Sequence, residues 1–297
     1  MEQLTALVTD NKIPVGRTAK AVFDWLNANA AGLFNTISTA LDWLIGRILA
    51  ALEAPHPLVF ILLAVALTWV LQRNWKTCLL VVAGLLFVLN QGYWDEMMQS
   101  LTLVLAACLV CMAIGVPVGI AAAHRPRLYA WMRPVLDLMQ TLPSFVYLIP
   151  VVVIFGIGRV PGLIAVTAYA LPPLIRMTDF GLRAVGRDLR EAAAGLGASD
   201  RQRLFWVDLP VALPAIMAGV NQTIMMALAM VVVASMVGVG GLGRNVLQAI
   251  NNQFFTAGAL NGLALVIIAI VFDRTARALG HRFDPAGAAR ADRLRGG

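Results

Sequence analysis

The chain has 297 residues, 60% of them hydrophobic and 13% charged, with a mean hydropathy of +0.78. Soluble domains carry nearer a quarter charged residues, so this composition points to a membrane protein. The net charge of +7 does not indicate nucleic acid, because the basic residues stand in short clusters between apolar runs.

Met1 to Lys20 has no apolar core of the length a cleavable signal needs. From Ala21 to Leu52, Val22, Leu26, Ala30, Leu33, Ile37, Leu41, Leu44, Ile48 and Leu52 recur at three- or four-residue steps. The polar residues lie mostly on other faces, although Phe23, Phe34 and Trp43 also leave the stripe. This predicts an amphipathic helix or helix pair that lies along a membrane surface or packs on the outer ends of a bundle. The proline-bearing stretch "EAPHP" ends it.

A hydrocarbon core about 30 Å thick needs about 20 apolar residues per helix. Leu58–Leu71 and Thr77–Leu89, split by "QRNWK", form a hairpin of two short candidate spans. Five further candidates follow, at Leu101–Ala123, Val135–Ile157, Pro161–Ile175, Val211–Val237 and Ala257–Phe272, giving seven spans in all. With the 191–210 loop placed inside, 17 of the 23 Lys and Arg fall on the inner side. By the positive-inside rule the N-terminus is then out and the C-terminus in. Trp69, Trp75, Trp94, Trp131 and Trp206 fall near span ends, where an aromatic belt would place them. The division that results is residues 1–57 as an extracytoplasmic segment, 58–89 as two additional spans, 90–280 as a membrane domain and 281–297 as a basic cytoplasmic tail.

Cys108 and Cys111 form a CxxC inside an apolar run, with no second pair, and read as small residues packed in a membrane helix rather than a metal or redox site. "GVGGLG" at Gly238–Gly243 matches GxGxxG but follows a span rather than a strand, so it reads as a flexible outer loop rather than a dinucleotide site. Polar residues within spans carry more weight, since a mid-membrane charge costs about 2.5–3.5 kcal/mol on insertion scales. Asp137, Gln140, Thr141 and Ser144 share a face of the fourth span if it is helical throughout. Pro143 and Pro150 break or kink that helix, and unwound helices often line transport paths. Gln140, Thr141, Ser144, Tyr147, Asn221, Gln222 and Thr223 are therefore candidates for a translocation path, with hydrogen bonding between spans as the competing role. Tyr147 and Phe145 could meet a quaternary ammonium by cation–π contact.

One stretch interrupts the apolar chain. "EAAAGLGASDRQRLFWVDLP", Glu191 to Pro210, holds five charged side chains and two glycines. It reads as a short helix, a turn at Gly197 and a second short helix behind a Ser199 cap. Leu196, Leu204 and Phe205 give it an apolar surface suited to a protein partner.

Glu191-Ala192-Ala193, then Gly197, then Val207-Asp208-Leu209-Pro210 resemble the EAA signature of binding-protein-dependent ATP-binding-cassette importer permeases, with Val207 where the family has Ile. The resemblance implies that Glu191, Ala192, Ala193, Gly197, Leu209 and Pro210 form a coupling loop that docks on a cytosolic ATP-binding subunit. "MQTLPSFVYLIPVVVIFGIGRVPGLIA", "ALPPLIRMTDFGLR", "PAIMAGVNQTIMMALAMVVVASMVG" and "GGLG" are similar to the glycine betaine/proline betaine branch, which includes choline importers. It implies an all-α polytopic protein of about seven transmembrane helices with a methionine-importer-like five-helix core. It also implies a homodimer in the bacterial inner membrane, served by an extracytoplasmic substrate-binding protein. With no GxxxxGK[ST] in the chain, ATP and Mg would be used by the partner ATPase, and this chain is expected to bind no cofactor and no metal. A permease for another small solute such as an amino acid, or an ion-coupled secondary transporter, remains the alternative.

Overall fold

A computed structural model describes residues 15–282. The expected basic tail from residue 283 onward, and the first 14 residues, lie outside the described residues. Among the described residues every regular element is helical. In chain order they are α1 (Val15–Glu53), α2 (Pro57–Gln72), α3 (Trp75–Asn90), α4 (Trp94–His124), α5 (Pro126–Thr141), a 3₁₀ turn (Ser144–Tyr147), α6 (Leu148–Phe155), α7 (Arg159–Arg183), α8 (Arg187–Gly195), α9 (Asp200–Arg203), a π-helical turn (Leu204–Asp208), α10 (Leu209–Ser235), α11 (Leu242–Asn251) and α12 (Phe255–Arg282).

Four helical stretches are each long and apolar enough to cross a membrane: Trp94–His124, Arg159–Arg183, Asp200–Ser235 and Phe255–Ala278. These match four of the expected spans. The fourth expected span does not run straight through Val135–Ile157. It breaks after Thr141, and the two halves meet at 113°. Pro143 causes the break, because its ring disfavours helix at Leu142, whose ψ is 135°. Pro150 causes none, since it falls in the first turn of α6, where no N–H is needed. Ser144 therefore lies beyond the end of α5 and does not share a helical face with Asp137 and Gln140. The expected hairpin is α2 and α3, each 16 residues. At 1.5 Å per residue each is roughly 24 Å long, short of a full hydrocarbon core.

The core is α7, packed mainly on α10 and α4. Small residues let these backbones approach. A Cβ on Gly119 of α4 would stand 2.5 Å from Thr178 Cβ of α7, and one on Gly219 of α10 would stand 2.8 Å from Met177 Cβ. Leu163, Leu174 and Val166 of α7 are completely buried between them. Cys108 and Cys111 are buried here too, and the Cys111 thiol donates to the Thr167 carbonyl of α7.

α1 is one helix of 39 residues, and its Ala28–Glu53 portion meets α2 at 94°. It crosses the end of the bundle opposite the 187–208 loop, against α4, α6 and α7. Phe34 meets Phe155 edge-on at 5.5 Å, and Arg159 pairs with Asp42 at 3.4 Å. Its packed face is Leu41, Leu44, Ile45, Ile48, Leu49 and Leu52, whereas Leu33 of the expected stripe is exposed. Beside α1, Gly238–Gly243 is a tightly packed turn rather than the flexible loop expected. Gly241 has φ +98, and a Cβ there would stand 2.5 Å from Ser100 Oγ, so only glycine fits. The Leu242 N–H donates to that same Ser100 Oγ at 2.9 Å.

Candidate functional site

The 187–210 loop is built by end-of-helix chemistry. α8 stops in a Schellman motif: the Ala198 N–H donates to the Ala193 carbonyl at 3.0 Å and the Gly197 N–H to the Ala194 carbonyl at 2.9 Å. Gly197 supplies the left-handed residue such a stop requires, with φ +80. Ser199 then opens α9 with a capping box, its hydroxyl accepting from the Gln202 N–H while the Gln202 side chain accepts from the Ser199 N–H. The predicted helix, glycine turn and capped second helix are all present. A π-helical turn carries the chain into α10, with Pro210 in that helix's first turn.

The loop is pinned to the bundle through charges. The Asp208 carboxylate, 1% exposed, accepts from Arg190 Nε at 2.9 Å, with Arg203 Nε at 3.9 Å. Arg190 Nη2 also donates to the Leu182 carbonyl at 2.6 Å, one of the carbonyls in the last turn of α7. Arg183 ties the same end of α7 to its neighbours. It donates to Asp179 at 2.8 Å and to the Ala122 carbonyl of α4 at 3.1 Å, and lies 5.0 Å over the Tyr129 ring of α5.

The residues singled out from the sequence occupy distinct parts of this unit. Glu191 and Ala192 are exposed on α8, Ala193 is buried beneath it, and Leu209 is half-buried at the entry to α10. Leu196 is 90% exposed and Phe205 63%, as the apolar surface requires, whereas Leu204 is half-buried. Trp206 takes its place. Assigned by sequence to an aromatic belt, it is 80% exposed beside Gly197 and lines a hollow of about 370 Å³ with Leu196, Ala198, Gln202 and Val207. The sequence reading assigned no role to Arg190, nor to Asp208, although Asp208 stands inside the signature. Their signal was available, an arginine directly before Glu191 and an acid directly before Leu209-Pro210.

The candidate path residues separate into two groups. Gln140, Thr141, Ser144 and Tyr147 cluster at the break between α5 and the 3₁₀ turn, where Gln140 and Thr141 are exposed and Ser144 half-buried. The Thr141 hydroxyl donates to the Leu138 carbonyl. Tyr147 is buried, donates to the Met139 carbonyl across the break, and meets Tyr169 edge-on at 6.0 Å. Phe145 is exposed nearby. On α10, the Asn221 amide donates to Asp273 of α12 at 3.3 Å, and the Thr223 hydroxyl donates to the Ala170 carbonyl of α7 at 3.1 Å. Gln222 is exposed between them.

The family described as binding-protein-dependent transport system inner membrane component matches residues 115–285, from mid-α4 past the end of α12. The chain belongs to this family. It is a permease component of ABC importers, and both the broken span and the pinned loop lie within the matched region. The glycine betaine/proline betaine transport system permease protein ProW of Escherichia coli strain K12 is 42% identical over 272 residues, covering 90% of this chain and 75% of that one. The glycine betaine transport system permease protein OpuAB of Bacillus subtilis strain 168 is 40% identical over 264 residues, covering 89% and 93%. Among solved structures, a chain of the inward-facing MetNI methionine ABC transporter superposes with a TM-score of 0.57 at 23% identity, over 63% of this permease and 93% of that chain. That likeness establishes the shared fold of the core.

Proposed function

We propose that this permease carries betaine-like quaternary amines, glycine betaine, proline betaine or choline, across the bacterial inner membrane. The observation that carries the substrate class is the similarity to the glycine betaine/proline betaine permease along nine-tenths of the chain. On this reading it works as a homodimer in membrane lipid, with an ATP-binding subunit on a separate cytosolic chain and an extracytoplasmic binding protein delivering the solute. The ATPase uses ATP and Mg, and this chain holds no cofactor. The N-terminus is outside and the C-terminus cytoplasmic, as the concentration of Arg and Lys on the loop side supports.

The loop geometry supports the mechanism. Leu196, Phe205 and Trp206 present an apolar surface to the ATPase, on a knob whose backbone is closed by the Schellman stop and the capping box. Arg190 and Asp208 bind that knob to the ends of α7 and α10, the most intimately packed helices of the core. Closure of the ATPase dimer therefore moves α7 and α10 as levers rather than bending the loop. A population shift between inward- and outward-open bundles follows, set by how differently the ATPase grips the two. The break at Leu142–Pro143, with Gln140, Thr141, Ser144 and Tyr147 around it, gives the passage its polar lining, joined by the exposed Gln222 of α10, while its neighbours Asn221 and Thr223 bond to α12 and α7.

The test is uptake of labelled glycine betaine and choline into proteoliposomes containing the permease, its ATPase and its binding protein. ATP-dependent accumulation of either is the expected result. Accumulation driven by an ion gradient without ATP overturns the reading, and ATP-dependent uptake of an amino acid but of neither amine overturns the substrate class.

A further inference from the structure

A groove of about 300 Å³ runs between α2, α3, α4 and α12. Its floor includes Thr68, Leu85 and Met97, all buried, and Leu67 forms an exposed lip. The two hydroxyls in its wall are already used: Thr68 donates to the Ala64 carbonyl at 2.8 Å and Thr275 to the Val271 carbonyl at 2.7 Å. The slot therefore offers hydrocarbon and nothing polar. It exists because α2 packs on α3 and α12 but stands off α4, touching it chiefly where the Phe60 ring meets Trp94 edge-on at 5.6 Å. Along α2 the slot extends from Phe60 to Thr68, about 12 Å at 1.5 Å per residue. One leaflet supplies roughly 15 Å of a hydrocarbon core about 30 Å thick, so the slot has the length of most of an acyl chain.

What lies at one end of the slot decides its occupant. One turn beyond Thr68, the Gln72 amide donates to the Arg274 carbonyl at 3.1 Å, joining the end of α2 to α12. Around this junction Arg73, Lys76 and Arg274 are exposed, and none forms an ion pair among the described residues. The neighbouring charges on α12 do not neutralise them, because Asp273 bonds Arg277 at 2.8 Å and faces Asn221. Three cations thus crown a dry slot that is open along one side.

We propose that the slot binds an anionic phospholipid, one acyl chain lying between α2 and α4 and the headgroup on Arg73, Lys76 and Arg274. A lipid chain leaves one hydrocarbon environment for another on entering, so the slot contributes shape, and the preference comes from the headgroup charge. Basic residues near an anionic headgroup attract it, and exposure to water weakens each contribution. The bound lipid fills the gap under α2 and fastens the α2–α3 hairpin to the core.

The experiment places the permease in nanodiscs with phosphatidylglycerol or phosphatidylcholine carrying a photoactivatable group on the acyl chain, and maps the labelled peptides. Phosphatidylglycerol is expected to label the α2 and α12 walls roughly tenfold more than phosphatidylcholine. Arg73→Ala with Lys76→Ala and Arg274→Ala is expected to abolish that difference, the corresponding Arg→Lys pair to keep it, and Ala64→Phe to remove labelling by both lipids. Equal labelling of the unaltered permease by the two lipids overturns the proposal, as does disulfide cross-linking of two copies through Leu67→Cys, which makes the slot an interface between copies. The readout is lipid contact and does not depend on which solute is carried.

Discussion

Arg190 Nε donates to the buried Asp208 carboxylate at 2.9 Å, across 18 positions of sequence, while its second nitrogen holds the last turn of α7. One guanidinium thereby joins three elements: α8, the end of α7 and the turn that starts α10. Charge-assisted hydrogen bonds are worth about 1.5–3 kcal/mol each, less where one partner is partly solvated, as Arg190 is. Asp208→Asn is expected to leave the permease inserted and able to bind its ATPase, while ATP-driven uptake falls at least tenfold. Arg190→Ala should do the same, and the double variant should lose little more than either single, because both remove one link. Additive losses in that cycle, measured as initial uptake rates, sink the idea that the pair acts as a unit.

The Schellman stop makes a second prediction at Gly197. Its φ of +80 penalises any L-residue by roughly 1–2 kcal/mol, yet among the described residues nothing beyond its two chain neighbours lies within 4 Å of a Cβ built there. Strain and bulk can therefore be separated. Gly197→Ala carries the strain alone and should lower uptake a few-fold, whereas Gly197→Trp should abolish ATPase binding in a pull-down as well as uptake. A Trp variant that transports normally shows that the turn is not seated against a partner.

How far the sequence could be read follows from which features are local. The loop was legible down to its cap, because Ser199, Gly197 and Pro210 each have one physical job that depends only on near neighbours. The core spans were legible for the same reason, as length and apolarity decide them. Tertiary features were not. Nothing in the periodicity says that Gly241 lies against Ser100, since those residues are 141 positions apart, so the turn read as a flexible loop. A break or kink in the fourth span was legible from Pro143, but its 113° angle was not, because apolarity continues through the bend. Trp206 was placed at a membrane interface because a tryptophan near a span end and one on a docking knob look alike in one dimension.

The polar residues of α10 should divide by the company they keep. Thr223 is completely buried with its hydroxyl on the Ala170 carbonyl, so Thr223→Val removes one hydrogen bond between helices, worth about 0.6 kcal/mol on average in membranes. A slightly lower thermal stability with unchanged KM for the solute is the expected result. Gln222→Ala, at an exposed position, should instead raise KM. The reverse pattern would move the passage to the α7 side of α10.

Asp137 of α5 and Arg176 of α7 link the first half of the broken span to the core, with Arg176 Nη2 on Asp137 Oδ1 at 2.5 Å. Two turns further along both helices, Arg183 lies over the Tyr129 ring, so two arginines on one face of α7 hold two successive positions of α5. α5 otherwise packs lightly, and its Trp131, Val135 and Leu138 are exposed. These two contacts tie it to α7 beside the buried Leu136, and the break after Thr141 lets it swing when they part. Reversing either charge alone, Asp137→Arg or Arg176→Asp, should cut uptake and raise ATP hydrolysis uncoupled from transport. The double reversal should recover most of the coupled rate, since the pair is restored with its polarity exchanged. If it performs no better than the singles, the pair does not control α5.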